Sequence, residues 1–114
     1  MKGYIYVRNH PSYDQENACI LGKTENIYDT DALYTNNELI RGHYGPVFEL
    51  YTSINIIERL LKNEFSELNI LFDGGSDFYN KKIINMIEPF FERNDKIKYR
   101  KLSMEEIELL LLKR

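Results

Sequence analysis

Two runs of strand-forming sequence, close together near the start of the chain, constrain its fold more than any other feature. Gly3-Tyr-Ile-Tyr-Val-Arg8 is rich in aromatic and β-branched residues and stops at Asn9-His-Pro11. Asn9 to Asn17 supplies turn formers, and Ala18-Cys-Ile-Leu-Gly22 resumes an apolar run. The pair reads as a hairpin with a long loop. Its second arm runs into Gly22-Lys-Thr24, which imitates the end of a nucleotide-binding loop. That motif, G-x-x-x-x-G-K-[ST], needs a glycine five positions before Gly22, and Asn17 stands there. The imitation is accidental.

The rest of the chain alternates helix and strand signals. Asn26 to Asn37 is polar around Ile27, Ala32 and Leu33, which allows a short helix. Gly42 to Pro46 reads as a turn, and Val47-Phe-Glu-Leu-Tyr51 alternates like a half-buried strand. Ser53 can cap a helix whose apolar positions Ile54, Ile57, Leu60, Leu61, Phe65 and Leu68 fall at helical spacing. Asn69-Ile-Leu-Phe72 suits an edge strand before the turn Asp73-Gly-Gly75. From Ser76 a helix is expected through Phe91 or Glu92, with Ile83, Ile84, Ile87, Phe90 and Phe91 inward and a break near Pro89. A strand over Ile97 to Leu102 and a capping box, Ser103-Met-Glu-Glu106, opening a last helix to Leu112 complete the pattern. The expected fold class is α/β: one domain over 1–114, with a small, largely antiparallel central sheet flanked by helices.

A chain of 114 residues can bury about two thirds of its unfolded surface, and 43% hydrophobic content excludes the composition of a disordered chain. The single cysteine, Cys19, allows no intrachain disulfide and suits a reducing compartment. No signal-peptide pattern and no long apolar span is present, so the expectation is a soluble protein inside a cell, in cytoplasm or nucleus, with no membrane partner. The net charge is −3, and residues 1–50 carry four Lys and Arg against seven Asp and Glu, while residues 51–114 carry eleven of each. Bulk charge therefore does not favour a duplex binder. The local run Lys81, Lys82, Lys96, Lys98, Arg100 and Lys101, with Tyr79 and Tyr99 among it, is a candidate phosphate-contacting surface and more commonly just a solvated one. Asp29 and Asp31 lack the ligand series of a calcium loop and read as acidic surface.

Two residues invite a chemical reading. Glu58 lies four residues after Ile54 and three before Leu61, within or beside the apolar stripe of its helix, where a carboxylate needs a partner, a metal or solvent. Lys62, four residues on, offers the ordinary alternative of a helix-surface ion pair. Tyr6 shares a strand face with Tyr4 and Arg8, opposite Ile5 and Val7, and its ordinary role is a packed ring with a solvated hydroxyl.

Taken together, Tyr4-Ile5-Tyr6 in the first strand, Ile20-Leu21-Gly22 with Lys23 and Thr24 in the second, Glu58 in Ile57-Glu-Arg-Leu-Leu61, Asp73-Gly-Gly-Ser-Asp-Phe-Tyr79 and Leu102-Ser-Met-Glu-Glu-Ile107 resemble the GIY-YIG endonuclease domain, in the branch found in phage and large DNA-virus proteins. The resemblance spans nearly the whole chain. It implies a viral DNA-directed nuclease: hydrolysis of phosphodiester bonds with one Mg²⁺ or Mn²⁺, Glu58 as the metal ligand, Tyr6 assisting the attacking water, and Lys23 and Tyr34 as supporting site residues. The phenol and the acid would face each other across a groove open to water. A larger protein partner or a second copy of the chain would complete targeting. Two positions depart from the family pattern, since Ile20 stands where a tyrosine is usual and Thr30 where the family carries an arginine. If that arginine acts as arginine fingers do, its loss costs on the order of a thousandfold in rate. The alternative is a catalytically degenerate DNA-binding or protein-interaction module on the same fold.

Overall fold

The computed structural model describes residues 3–36, 38–72 and 75–112. Six strands form one antiparallel sheet: β1 (Gly3–Asn9), β2 (Ala18–Thr24), β3 (His43–Leu50), β4 (Asn69–Phe72), β5 (Gly75–Asn80) and β6 (Tyr99–Lys101), in the order β4-β5-β2-β1-β3-β6. The helices are α1 (Ile27–Thr35), α2 (Ile54–Glu64), α3 (Ile87–Glu92) and α4 (Met104–Leu112). The fold is α/β, with the antiparallel sheet between two helical layers.

Strand alternation divides the core in two. On one face Ile5, Val7, Cys19, Leu21, Phe48 and Leu50 pack against Ile57 and Leu61 of α2 and Ile87, Phe90 and Phe91 of α3. On the other, Tyr6, Ile20, Tyr44 and Val47 pack against Ile27 of α1 and Ile107 of α4. Both faces of the sheet are thus covered. Burial also silences Cys19, whose thiol is pushed up to about 11 by desolvation, so it is inert near neutral pH.

The expected β1–β2 hairpin forms, with Tyr6 opposite Gly22 and Arg8 opposite Ile20, and its loop closes through a 3-10 helix, Pro11–Glu16. The chain from Gly42 to Pro46, read as a turn, instead lies mostly within β3, which begins at His43. Tyr6 pairs with Val47 and Arg8 with Tyr44, so Gly45 and Pro46 both stand opposite Val7, a bulge in which a proline leaves no ladder hydrogen bond unmade. The helix expected from Ser76 is also corrected. Gly75–Asn80 is a strand, followed by a 3-10 helix, Lys81–Asn85, and only then by α3. Phe78 and Tyr79 pack on opposite faces, and two-sided aromatic packing won over the helical period of the isoleucines that follow. Of the turn before it, residues 73 and 74 lie outside the described residues. Pro89 falls in the first turn of α3, where its missing N–H costs nothing. Helix α2 ends at Glu64 rather than at Leu68, Leu60 is 40% exposed, and Ser53 makes no side-chain cap.

The capping box forms as read: the Ser103 N–H donates to Glu106 at 3.0 Å and the Glu106 N–H donates to Ser103 Oγ at 3.2 Å. Its carboxylate is held below the usual range, first by the Ser103 backbone and then by Arg100. Ser103→Ala is expected to lower stability by about 1 kcal/mol, read as a shift in the urea midpoint with an unchanged slope.

Candidate functional site

Tyr6 and Tyr34 meet. Their hydroxyls lie 2.9 Å apart, joining β1 to α1, and the rings stand edge to face at 6.3 Å. A second ring, Tyr44 of β3, lies edge-on to Tyr6 at 5.8 Å. Gly22 makes the arrangement possible: a Cβ there would sit 2.4 Å from both Cζ and Oη of Tyr6. The Tyr6 phenol is therefore not wet but 4% exposed, while Tyr34 is only half-buried and connects the pair to solvent. Burial raises both hydroxyls above the ordinary phenol value, Tyr34 far above it. At neutral pH the pair is protonated, so it can orient a water or an oxygen but takes no proton as a phenolate.

Lys23 and Glu58 also meet, on the other side of the sheet. Lys23 points to the face of Leu21 and Ile5, where α2 packs, and its Nζ lies 2.8 Å from Glu58 Oε1 and donates to Asn55 Oδ1 at 2.7 Å. Lys62 stands 3.8 Å from Glu58 Oε2, so the helix-surface pair exists beside the cross-element one. The direct groove between phenol and acid is consequently corrected. Tyr6 belongs to the α1 face and Glu58 to the helix covering the opposite face.

The two halves nonetheless share one end of one strand. Gly22 lies against Tyr6, and the next residue, Lys23, holds Glu58. Strand β5 pairs with β2 from Ala18 to Ile20, and among the described residues no strand pairs with that edge at Gly22 and Lys23, which are partly exposed. Asp77 of β5, part of the 73–79 stretch that carries the resemblance but given no chemical role there, sits beside this gap. Its carboxylate accepts from Lys62 at 3.4 Å, and its charge adds to the upward shifts of Tyr6 and Tyr34.

Other candidates are engaged structurally. Thr30, at the family's arginine position, donates to Thr24 Oγ1 at 2.7 Å and helps close the β2–α1 turn. Ile20 is buried beside Tyr6. Asp31, read as acidic surface, is 7% exposed and takes Arg41 at 2.7 Å and the Tyr44 hydroxyl at 3.2 Å. His43 is exposed. Of the C-terminal cations, Lys81 pairs with Asp14, Arg100 with Glu49 and Glu106, and Lys101 with Glu88, which weakens the case for a continuous basic face.

Among the described residues no group of three or more His, Cys, Asp or Glu is placed to hold a metal. A hydrated Mg²⁺ commonly keeps several waters and takes one or two carboxylates, and Glu58 would be the carboxylate offered to it here. Its side chain is 20% exposed and faces two ammonium groups, Lys23 at 2.8 Å from Oε1 and Lys62 at 3.8 Å from Oε2, so an ion there would compete with both. No family model, curated protein or solved structure matches the chain.

Proposed function

We propose that the chain is a GIY-YIG-like nuclease domain that hydrolyses DNA phosphodiester bonds at the open edge of β2. The observation that carries this reading is the meeting of the two halves at consecutive residues: the Tyr6–Tyr34 hydroxyls over Gly22 on one side, Lys23 and Glu58 on the other. A phosphate bound there would meet the partly exposed Tyr34 from one face and an ammonium and a carboxylate from the other. Lys23 would bind the phosphate charge, and Tyr34 and Tyr6 would orient the attacking water through their shared hydrogen bond. Glu58 Oε2 would hold Mg²⁺ or Mn²⁺, which supplies stabilisation of the leaving oxygen when bound.

The degenerate alternative draws on one observation of its own. Tyr6 is almost fully buried with its hydroxyl engaged by Tyr34, and Thr30 cannot supply the arginine's charge. Under that reading the chain binds DNA without cleaving it. Nicking of supercoiled plasmid with Mg²⁺ or Mn²⁺ separates the two. The nuclease reading expects nicking by the wild type that is lost in Glu58→Ala and in the metal-free reaction. Nicking that survives Glu58→Ala would mark a contaminant, and salt-dependent binding without nicking would establish the binding module.

A further inference from the structure

Arg8 is a fully buried arginine on the same face of β1 as Tyr6, and nothing in the proposed reaction yet uses it. Its guanidinium lies 4.5 Å from the ring centroid of Tyr34 and 5.1 Å from that of Tyr44. Nη2 donates to Glu38 at 2.7 Å and stands 4.0 Å from Asp31, whereas Nε and Nη1 have no hydrogen-bond partner among the described residues. A single strong ion pair and two aromatic faces therefore hold it. Gly42 admits it, because a Cβ there would lie 2.5 Å from Nη1.

We propose that Arg8 is the positioning residue of the hydroxyl pair: its planar guanidinium, wedged against Tyr34 and Tyr44 and pinned by Glu38, fixes the rings on either side of Tyr6 so that the Tyr34 hydroxyl meets that of Tyr6. The catalytic part of the claim rests on the nuclease reading, but the geometric part does not. Tyr34 sits on the last turn of α1, with a 36–42 connection following it, and Tyr44 sits beside the β3 bulge. Arg8, two residues after Tyr6 on β1, touches both rings and so ties them to the strand that carries Tyr6. Planarity matters here. A lysine would keep the charge but not the planar surface that stacks on the rings while a second nitrogen bonds Glu38.

The test uses the full chain with tyrosines labelled at Cζ, whose NMR shift reports hydroxyl hydrogen bonding. Tyr34→Phe and Tyr6→Phe assign the two signals. Arg8→Met is made together with Glu38→Gln, so that no buried carboxylate is stranded, and is compared with Glu38→Gln alone; Arg8→Lys is the conservative variant. In both Arg8 variants the Tyr6 signal is expected to move to its position in Tyr34→Phe. In plasmid nicking kcat is expected to fall on the order of a hundredfold with KM little changed, as for a misplaced catalytic group. Signals that stay in place while only thermal stability falls would overturn the proposal, as would full restoration by lysine. If the wild type nicks nothing, the nuclease reading fails by itself, and the Cζ shifts still decide the role of Arg8.

Discussion

Arg8→Met alone is expected to cost about 3–5 kcal/mol, a large part of the stability of a domain this size. The loss arises less from the missing arginine than from what it leaves behind. Glu38, 11% exposed at its side chain, would keep its charge in a site where its 2.7 Å partner is gone. Its remaining company is the Gly42 N–H at 3.3 Å and His10 at 3.8 Å, weaker replacements for a direct guanidinium bond. Adding Glu38→Gln should recover much of the loss, because a neutral amide tolerates the same site better than a stranded carboxylate. Urea unfolding of the two variants and of Glu38→Gln completes a double-mutant cycle. A single variant within about 1 kcal/mol of wild type would mean that the pair is held as loosely as a surface one.

That this pair exists was not legible in the sequence, and the reason is physical. Alternation puts Arg8 on the face of Tyr6 but names no partner for it; Tyr34, Glu38 and Tyr44 come from a helix, a connection and a strand that only tertiary packing brings together. The hairpin was legible because β-branched and aromatic runs flanking turn formers leave few other solutions, and the face of Tyr6 followed from alternation. The capping box was legible because its hydrogen bonds are local. Strand β5 was not, since its aromatics are followed by isoleucines whose spacing extends a helix backwards over them. Glu58 was read as within or beside the stripe of its helix and is half-buried next to Ile57, yet no local pattern says which face of the sheet that helix will cover. The connection from β3 decides it, and it put the acid on the side opposite the phenol.

Gly22→Ala should show how closely the hydroxyl pair depends on that hairpin. The new methyl would lie 2.4 Å from Cζ and Oη of Tyr6, far inside contact distance. Neither partner can retreat cheaply. The backbone of Gly22 is fixed by pairing with Tyr6 itself and by the Leu21–Val7 pair beside it, and the Tyr6 ring is flanked edge-on by Tyr34 and Tyr44. Overpacking of this kind costs about 1–3 kcal/mol, and relief by swinging the ring parts its hydroxyl from Tyr34. The substitution is therefore expected to destabilise the fold and to abolish nicking together. Stability alone would not identify the cause, but background does: in Tyr6→Leu, which removes the clashing atoms, Gly22→Ala should cost little, giving a coupling of about 1–3 kcal/mol. Equal costs in both backgrounds would place the penalty in the β2 backbone rather than at the phenol. The Tyr6 hydroxyl would then not depend on a glycine beneath it, and the meeting of the two halves at Gly22 and Lys23 would lose its structural basis.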